Sequence, residues 1–467
     1  MIEVRNPRTG QNDHAFEPPS GDHLSGLAAS LRDAQHGWEE NGLDARIDAL
    51  LAWRDRLEDA RAAIIEALIT DTGRRIESAL EVDAVLGMID RWCSQAPVLL
   101  AEPEPRAAGI PTVEVRQGMH PYPLAGVISP WNFPLLLAMI DAVPALVAGC
   151  AVMIKPSEIT PRFIEPVAAT MGPDIPLTLV PGAGATGEAI VDLVDAVCFT
   201  GSVPTGRAVG EQAMRRFIPA FLELGGKDPA VVCASAELER ATSAILWGST
   251  ANAGQSCLSI ERVYVDRAVY EPFVEQLVEK ARALRLAAPT VDDGEIGPII
   301  AAKQVAVIAD HLADADAKGA KARTGGEIEV IAGGSYLRPT VLTEVSHAMK
   351  VMTAETFGPI IPVMPFDALD EGVALANDTT YGLSAAVFAG DPAEAVAVGR
   401  RIRAGAVSIN DAALTALVYD AEKNSFNLSG LGGSRMGPAA LRRFGRRQAF
   451  LVASTQTPDP WWYPHLR

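Results

Sequence analysis

Cysteine is scarce in this sequence, and no two cysteines lie at short spacing. Five occur in 467 residues: Cys93, Cys150, Cys198, Cys233 and Cys257. Disulfide frameworks use even sets of cysteines, and structural zinc sites use close CxxC pairs. The sequence therefore predicts neither disulfides nor a metal site.

Positive charge is also in deficit. The chain carries 40 Lys and Arg residues against 58 Asp and Glu residues, which gives a formal net charge of −18. A field of this sign repels nucleic-acid phosphates and anionic lipid surfaces. One basic cluster lies near the C-terminus, and we interpret it as a solvated helix end: Arg442, Arg443, Arg446 and Arg447. We expect neither a nucleic acid nor a membrane as a partner.

A long unbroken apolar run is lacking as well. Residues 133–154 are nearly all apolar, but four residues interrupt them: Pro134, Asp141, Pro144 and Gly149. This pattern predicts a helix over about residues 135–147 and a buried strand at 150–154 in place of a membrane span. The first seven residues lack the basic and apolar regions of a signal peptide, so the sequence predicts a cytoplasmic protein.

The composition is that of a globular protein, with 48% hydrophobic residues and enough length for about three compact units. Residues 43–92 have a helical pattern, and residues 101–118, rich in Pro and Glu, predict a hairpin that extends from the body. From residue 124, short apolar strands alternate with helices, and this alternation resumes after Gly225. Such alternation is typical of βαβ units, so the expected fold class is α/β with two parallel-sheet domains in tandem.

Two glycine-rich turns are candidates for binding a phosphate. The turn at 182–187 matches GxGxxG, but the acidic residue that completes the dinucleotide fingerprint about 20 residues later is missing. The turn at 201–206 follows an apolar strand and leads into a helix predicted to begin at Arg207, so its N–H groups suit a pyrophosphate. Sequence spacing alone does not choose between the two turns.

Cys257 differs from the other cysteines in its predicted surroundings. It lies in a loop after a helical pattern that ends near Ala251, whereas the other four lie in apolar helices or strands. A thiol in a loop can be reached by a substrate, and backbone N–H groups nearby favour a thiolate and bind an oxyanion. Cys257 is therefore the candidate nucleophile, with a small buried residue as the alternative.

Two further polar residues lie in apolar or rigid surroundings. Glu223 ends an apolar strand before two glycines, and burial of a carboxylate raises its affinity for protons, as a general base near neutrality requires. The alternative is an ion pair with a nearby Lys or Arg. Asn132 lies between aromatic residues and two prolines, so it is either a rigid oxyanion donor or a buried turn-former.

Seven motifs occur together in one order along nearly the whole chain, after NPRTG at residues 6–10. They are PWNFP at 130–134, KPSE at 155–158, FTGSVPTG at 199–206, LELGGK at 222–227, GQSC at 254–257, ETFGP at 355–359, and ANDT with YGL at 376–383. On these residues the sequence strongly resembles the non-acylating branch of the aldehyde dehydrogenase superfamily. The resemblance implies an aldehyde dehydrogenase-like fold, with a Rossmann-type cofactor domain, an α/β catalytic domain and a small oligomerisation element.

The resemblance also implies roles that spacing left open. Cys257 would be the nucleophile, Glu223 the general base, and Asn132 with the Cys257 backbone N–H the oxyanion hole. The turn at 201–206, and not the literal GxGxxG, would bind the pyrophosphate. The implied cofactor contacts are Trp131, Lys155, Ser157, Glu158, Gly201, Ser202, Gly206, Leu224, Glu355 and Phe357.

The implied reaction oxidises an aldehyde to a carboxylic acid. The thiolate attacks the aldehyde, a hydride passes to the nicotinamide, and water activated by Glu223 hydrolyses the thioester. A carboxylate at Glu158 suits the free ribose 2′-hydroxyl of NAD and would repel the 2′-phosphate of NADP, so we expect NAD. Two alternatives stay open: a CoA-acylating enzyme, whose relatives typically lack a carboxylate at the position of Glu223, and a non-catalytic scaffold.

The resemblance divides the chain into three parts. Residues 1–100 and 120–224 would form the NAD-binding domain, and residues 225–415 the catalytic domain. Residues 101–119 and 446–467 would form the oligomerisation element of a homodimer or homotetramer, with a C-terminal strand at 448–454, and residues 416–445 would return to the substrate mouth.

One region departs from the family pattern. The usual PFGG substrate-loop motif is replaced at residues 423–435 by KNSFNLSGLGGSR, and Ala354 replaces the first acid of the usual Glu-Glu pair. Apolar residues beside the implied catalytic set favour an apolar or aromatic aldehyde, whereas Arg435 could favour a substrate with a distal carboxylate. The expected substrate contacts are Phe133, Leu137, Ile140 and Leu258.

Overall fold

The computed structural model describes residues 1–453, together with 455, 456, 458, 459, 461–463 and 465. The chain begins with an antiparallel strand pair and four helices: β1 (Ile2–Arg5), β2 (Asn12–Phe16), α1 (Gly21–Glu40), α2 (Gly42–Asp59), α3 (Arg61–Thr72) and α4 (Ile76–Leu99). The helical pattern predicted from residue 43 is confirmed. Helix α1, which Ser20 caps by accepting a hydrogen bond from the His23 N–H, precedes it and was not predicted.

Two strands follow in the segment predicted to form a hairpin. They are β3 (Arg106–Ala107) and β4 (Val113–Pro121), which pair antiparallel.

The first parallel sheet has the strand order β9-β8-β5-β6-β7. Its elements are β5 (Leu124–Ile128), α5 (Pro134–Ala148), β6 (Ala151–Lys155), α6 (Ile164–Ala168), β7 (Leu177–Leu179), α7 (Gly184–Leu193), β8 (Ala196–Thr200), α8 (Val203–Arg216) and β9 (Ala220–Glu223). Val127 packs with α2–α5 on one face of this sheet, and Ile128 packs with α1, α7 and α8 on the other. Burial of both faces explains why these strands are apolar without alternation.

The second sheet has seven strands in the order β12-β15-β16-β11-β10-β17-β18, parallel except for the β12–β15 pair. Its region contains β10 (Asp228–Val232), α9 (Leu238–Thr250), a 3-10 helix (Ala251–Gly254), β11 (Ile260–Asp266), a 3-10 helix (Arg267–Val269), α10 (Tyr270–Ala283), α11 (Ala302–Ala317), β12 (Lys321–Ala322), a separate hairpin of β13 (Ile328–Ile331) and β14 (Gly334–Leu337), β15 (Thr340–Thr343), α12 (Lys350–Thr353), β16 (Ile360–Phe366), α13 (Leu369–Asn377), β17 (Ser384–Phe388), α14 (Pro392–Gly399) and β18 (Ala406–Ile409). The α/β class with two parallel sheets is therefore confirmed.

The last segment returns to the first half of the chain. It contains α15 (Leu414–Leu417), a 3-10 helix (Asn427–Ser429), β19 (Gly430–Leu431), α16 (Ala439–Arg442) and β20 (Gly445–Ala453). Strand β19 adds antiparallel to β9, and β20 pairs along the whole of β4. Strands β3, β4 and β20 thus form a three-stranded sheet from segments far apart in the sequence. Of the predicted C-terminal strand and tail, Ser454 and residues 457, 460, 464, 466 and 467 lie outside the described residues.

Of the C-terminal basic cluster, Arg442 lies at a solvated helix end as interpreted, whereas the Arg443 side chain is buried and the exposed Arg446 and Arg447 belong to a strand. Helix α16 ends at Arg442, and Arg446 and Arg447 lie on β20. The Arg443 side chain is buried because the carboxylate of Asp141 in α5 is its ion-pair partner. Within the residues that the structure describes, no helix is long and apolar enough to cross a membrane.

Candidate active site

The expected site residues lie on the edges of the two parallel sheets. In the first sheet, Lys155 is opposite Ile128, and Glu223 is opposite Thr200, so the expected residues end strands or follow them. In the second sheet, Asp228 is opposite Ile260, and the expected residues precede the strands. Ligands of open α/β sheets bind beyond the carboxyl ends of the strands. The first sheet therefore presents its binding edge, and the second sheet presents its opposite edge.

A hydrogen bond across these edges links Asn132 to the loop of Cys257. The Asn132 Nδ2 donates to the Gln255 carbonyl oxygen at 3.0 Å. The Asn132 carbonyl accepts from Arg74 Nη2 at 2.8 Å and from Asn252 Nδ2 at 2.9 Å. An amide nitrogen carries two hydrogens. One of them is used by Gln255, and the other can serve an oxyanion.

A buried ion pair that sequence reasoning missed holds the start of α5. Arg74 and Glu81 lie 2.7 Å apart, and both side chains are buried. Glu81 Oε2 accepts the N–H groups of Leu135 at 2.9 Å and Leu136 at 3.0 Å, so it caps a helix that has no cap of its own. Burial raises the pKa of Glu81 to about 7. The sequence contained one signal for this ion pair: two residues of opposite charge, about two helical turns apart, beside an apolar helical pattern.

Cys257 follows a sharply bent loop. Asn252 and Ala253 have φ values of 54° and 53°, and Gly254 has a φ of 70°. A Cβ on Gly254 would lie 2.3 Å from the Gly358 carbonyl oxygen, so only glycine fits there. This loop leaves Cys257 partly exposed, whereas the other four cysteines are buried, as expected.

The electrostatic surroundings of Cys257 oppose a thiolate. Burial and the Glu355 carboxylate raise the pKa of the Cys257 thiol to about 12, although Lys423 and Arg435 act in the other direction. A raised pKa disfavours the nucleophilic thiolate, so attack on a substrate requires removal of the thiol proton.

Glu223 ends β9, and its two carboxylate oxygens have partners from the C-terminal segment. Ser425 Oγ donates to Oε2 at 3.3 Å, and Arg435 Nε lies 3.9 Å from Oε1. The Glu223 side chain is 15% exposed. The carboxylate is thus shielded from solvent, as a base requires, and it also lies beside an arginine, as the alternative interpretation expected.

The ETFGP segment packs against the glycines that follow Glu223. Glu355 Oε1 accepts the Gly226 N–H at 3.0 Å. Burial and the nearby Glu261 carboxylate raise the pKa of Glu355 to about 7. The Phe357 and Trp131 rings, one from each sheet edge, meet edge to face with centroids 5.4 Å apart. Two expected cofactor residues are therefore neighbours, although 226 positions in the sequence separate them.

A second buried ion pair that sequence reasoning missed positions the ETFGP segment. Lys227 Nζ lies 2.6 Å from Glu261 Oε2, and both side chains are fully buried. The Glu261 carboxylate accepts the N–H groups of Thr356 at 2.8 Å and Phe357 at 2.7 Å. Because charged partners strengthen such hydrogen bonds, Glu261 fixes the backbone that carries Glu355 and Phe357.

The expected dinucleotide residues line the carboxyl edge of the first sheet. Lys155 Nζ donates to the Gly182 carbonyl at 2.8 Å and lies 3.2 Å from Glu158 Oε2. The neighbouring Ser157 Oγ accepts the Ile159 N–H at 3.2 Å. Lys155 thereby joins the KPSE motif to the literal GxGxxG turn.

Helix α8 begins at Val203 and not at Arg207, because Pro204 suits the first turn of a helix. The Ser202 hydroxyl contacts Thr205 Oγ1 at 3.0 Å and does not cap the helix. Gly201 and Gly206 therefore flank an N-terminus whose first N–H groups no side chain caps. A Cβ on Gly206 would lie 2.3 Å from Leu224 Cδ2, so glycine lets α8 pack on β9. An uncapped 14-residue helix fits a dinucleotide phosphate, although α7 is uncapped too.

The expected substrate residues are divided between two environments. Phe133, which precedes α5 and has a non-helical backbone, and Leu137, which lies one turn before Asp141 on α5, are both partly buried. Ile140 is 5% exposed and packs in the core, and Leu258 is partly buried beside Cys257. Leu137 therefore lies on the face of α5 that reaches the Arg435 side chain through Asp141, whereas the Phe133 ring packs against Arg74, whose guanidinium carbon lies 4.5 Å from the ring centroid.

Comparison with known proteins identifies the family. Residues 1–449 match the model of the aldehyde dehydrogenase family. The chain belongs to that family. A protein from Mycolicibacterium smegmatis, whose name proposes a succinate-semialdehyde dehydrogenase that uses NADP+, is 34% identical over 97% of this chain and 89% of its own.

Two solved structures of aldehyde dehydrogenases match nearly the whole fold. One is PutA of Anabaena variabilis, proposed to be an aldehyde dehydrogenase, with a TM-score of 0.97 and 56% identity over 99% of each chain. The other is betaine aldehyde dehydrogenase of Staphylococcus aureus in complex with NAD+, with a TM-score of 0.91 and 28% identity over 99% of this chain and 93% of that one.

These matches confirm the resemblance inferred from the seven motifs. The protein is an oxidoreductase of the aldehyde dehydrogenase family, which acts on aldehydes with NAD(P). The relatives differ in the substrate and in the dinucleotide that their names give, so the individual residue roles, the dinucleotide and the aldehyde are taken up as proposals.

Proposed function

We propose that this protein oxidises an aldehyde to a carboxylic acid with NAD+, through a thioester on Cys257 that water hydrolyses. The observation that carries the proposal is the hydrogen bond from Asn132 Nδ2 to the Gln255 carbonyl, two residues before Cys257. This hydrogen bond holds the Asn132 side-chain amide against the loop that contains Cys257. The second N–H of that amide and the Cys257 backbone N–H can therefore bind the same oxyanion.

The proposed residues act in two stages. The Cys257 thiol releases its proton to solvent water, with Lys423 and Arg435 favouring the thiolate, and the sulfur attacks the aldehyde carbon. Asn132 and the Cys257 N–H stabilise the oxyanion of the thiohemiacetal. When bound, NAD+ supplies the acceptor for the aldehyde hydride. Glu223 then takes a proton from water, whose oxygen attacks the thioester carbon, and the carbon–sulfur bond breaks to release the acid and the Cys257 thiolate.

The carboxylate at Glu158 supports NAD over NADP. It is 39% exposed and lies 3.2 Å from Lys155 Nζ. A carboxylate there accepts a hydrogen bond from a ribose hydroxyl and repels a 2′-phosphate. Trp131 and Phe357 are proposed to pack on the nicotinamide end, Glu355 on its ribose, and Ser157, Gly201, Ser202, Gly206 and Leu224 along the remainder.

The substrate is proposed to be an apolar or aromatic aldehyde. Phe133 and Leu137 present an apolar surface at the start of α5, and Leu258 adds one beside Cys257. Arg435 was the residue that could have bound a distal carboxylate. Its Nη2 is instead committed to Asp141 at 2.8 Å and Thr200 at 2.5 Å, which argues against a semialdehyde with a carboxylate at its far end.

Different parts of the chain are proposed to have different functional roles. Residues 1–100 and 120–224 would bind the dinucleotide, and 225–415 would carry the nucleophile. Strand β20 exposes apolar side chains at Phe450, Leu451 and Val452, which supports a role for 101–119 and 446–467 in a homodimer or homotetramer. Residues 416–445 would line the substrate mouth.

Turnover assays test the function directly. The purified protein is incubated with NAD+ or NADP+ and with an aliphatic aldehyde, benzaldehyde or succinate semialdehyde, and absorbance of the reduced dinucleotide is followed. We expect the highest kcat/KM for NAD+ with the apolar aldehydes, without CoA. A preference for succinate semialdehyde would contradict the proposed substrate, dependence on CoA would contradict hydrolysis by water, and no reduction with any aldehyde would contradict the function itself.

A further inference from the structure

The guanidinium of Arg435 lies between the proposed base and a buried carboxylate. Its Nη2 donates to Asp141 and to Thr200, while its Nε lies 3.9 Å from Glu223 Oε1. The Arg435 side chain is 7% exposed, so water screens these charges little. Arg435 therefore interacts with Glu223 far more strongly than a surface arginine would.

The charges in this cluster do not balance without Glu223. Asp141 is paired with two guanidinium groups, those of Arg435 and Arg443. One negative and two positive charges leave one buried positive charge, and Glu223 is the carboxylate that neutralises it. Burial lowers the pKa of Arg435, but Asp141 and Glu223 more than offset this, so its pKa is above the ordinary value and Arg435 stays cationic.

The hydrogen-bonding capacity of Arg435 is also incomplete. Its Nε is buried and has no hydrogen-bond partner among the described residues. An unsatisfied buried donor costs free energy, and the Glu223 Oε1 would reach hydrogen-bond distance by a shift of about 1 Å. Ser425 already donates to the other oxygen of the same carboxylate. The two partners together define the position of both Glu223 oxygens.

Other titratable groups surround this pair on every side. Cys198 of β8 and Cys257 both act on Arg435. Glu355 lies beside Gly225, two residues after Glu223. Lys423 precedes Ser425 by two residues and acts on Cys257. Lys423 is a second cation in these surroundings, but Arg435 is the one that lies within 4.0 Å of the Glu223 carboxylate.

We propose that Arg435 is the positioning residue of Glu223, whose negative charge it balances and whose carboxylate it orients for the hydrolysis of the thioester. The inference rests on the proposed function. In that step Glu223 accepts a proton from water, the water oxygen bonds to the thioester carbon, and the carbon–sulfur bond breaks to release the Cys257 thiolate. Arg435 forms no bond to the substrate. Its fixed positive charge stabilises the Glu223 carboxylate, which accepts the proton when water attacks.

The variant Arg435→Gln tests the proposal. Asp141 keeps Arg443 as its partner, so the variant retains a neutral buried pair, and circular dichroism checks its fold. Infrared difference spectra identify the Glu223 carboxylate band by its loss in Glu223→Gln. An opposite charge at this distance favours ionisation, so we expect the band to form about one pH unit or more higher in Arg435→Gln than in the wild type.

Turnover supplies a second measurement. In Arg435→Gln the acid limb of kcat moves to higher pH, and the KM for the aldehyde stays near wild type. Lys423 still favours the Cys257 thiolate, so hydrolysis slows more than hydride transfer and a burst of reduced dinucleotide appears. Arg435→Lys retains the charge and restores the limb in part. Arg443→Gln is the matched control, because Arg443 shares Asp141 but lies beside Phe221 and Phe444.

An unchanged carboxylate titration in Arg435→Gln, or an equal shift in Arg443→Gln, would overturn the proposal. The infrared titration needs no aldehyde. If the wild type reduces no dinucleotide with any aldehyde, the proposed function fails, while the titration still decides whether Arg435 controls Glu223.

Discussion

The two parallel sheets contribute to the candidate site from opposite ends of their strands. In the first sheet, Asn132, Lys155, Gly201 and Glu223 end strands or follow them. In the second sheet, Cys257 precedes β11 and the ETFGP segment precedes β16. The site is thus formed where the carboxyl edge of one sheet meets the amino edge of the other.

This difference decides which charges each edge favours. Helices α7 and α8 begin at the carboxyl edge of the first sheet with no side-chain cap, so their partially positive N-termini suit an anionic dinucleotide. Helices α9 and α12 end before the loops of the amino edge, and helix C-termini are partially negative. The nucleophile edge therefore does not stabilise a thiolate, in agreement with the raised pKa of Cys257, and the stabilising cations Lys423 and Arg435 come from the C-terminal segment.

The largest expected effect is the loss of turnover when Cys257, at the amino edge of the second sheet, is replaced. Dinucleotide binding at the carboxyl edge of the first sheet should be retained. Cys257→Ala should abolish aldehyde-dependent reduction of the dinucleotide, because no other nucleophile is proposed, while calorimetry should show NAD+ affinity near that of the wild type. Cys233→Ala is the control, since Cys233 follows β10 at the far edge of the same sheet and should leave turnover unchanged. Turnover of Cys257→Ala comparable to the wild type would show that the nucleophile lies elsewhere.

A smaller effect on kcat is expected for Asn132, which lies where the edges of the two sheets meet. Asn132→Ala removes an oxyanion donor, and losses of this kind reduce kcat by about 10²–10³-fold. The KM for NAD+ should change little, because Asn132 contacts the Cys257 loop through Gln255. Thermal unfolding is measured in parallel, since loss of that hydrogen bond also destabilises the loop. A fall in kcat explained by unfolding alone would contradict the oxyanion role.

The fold was predictable where apolar runs are buried on both faces. Strand β8 (Ala196–Thr200), one of the short apolar strands that the sequence predicts after residue 124, is buried along its whole length. Helix α1 was missed although its buried residues repeat at the alternating four- and three-residue spacing of an amphipathic helix: Leu24, Ala28, Leu31, Gln35 and Trp38. The start of α8 was misplaced because Pro204 suggests a turn when neighbouring residues are considered alone.

The candidate catalytic residues stand out in the sequence, but the residues that contact and position them do not. Cys257, Asn132 and Glu223 lie in short motifs with unusual local composition. Ser425, which donates to Glu223, lies 202 positions away. The return of the chain through β19 to the edge of β9 creates that contact. Such long-range pairs leave no periodic signal, and the divergent 423–435 segment revealed its role only in three dimensions.

The smallest effect concerns the dinucleotide edge alone. Lys155→Met keeps the length of the side chain but removes the charged donor to Gly182 and the partner of Glu158. Hydrogen bonds to charged groups are worth about 1.5–3 kcal/mol, so we expect the Kd for NAD+ to rise about 10- to 100-fold. The rate at which iodoacetamide alkylates Cys257 should not change, because the thiol lies on the other sheet. Lys303→Met, on an exposed position of α11, is the control. If Lys155→Met altered the alkylation rate as strongly as the Kd, the two edges would be coupled and the division of roles between them would be wrong.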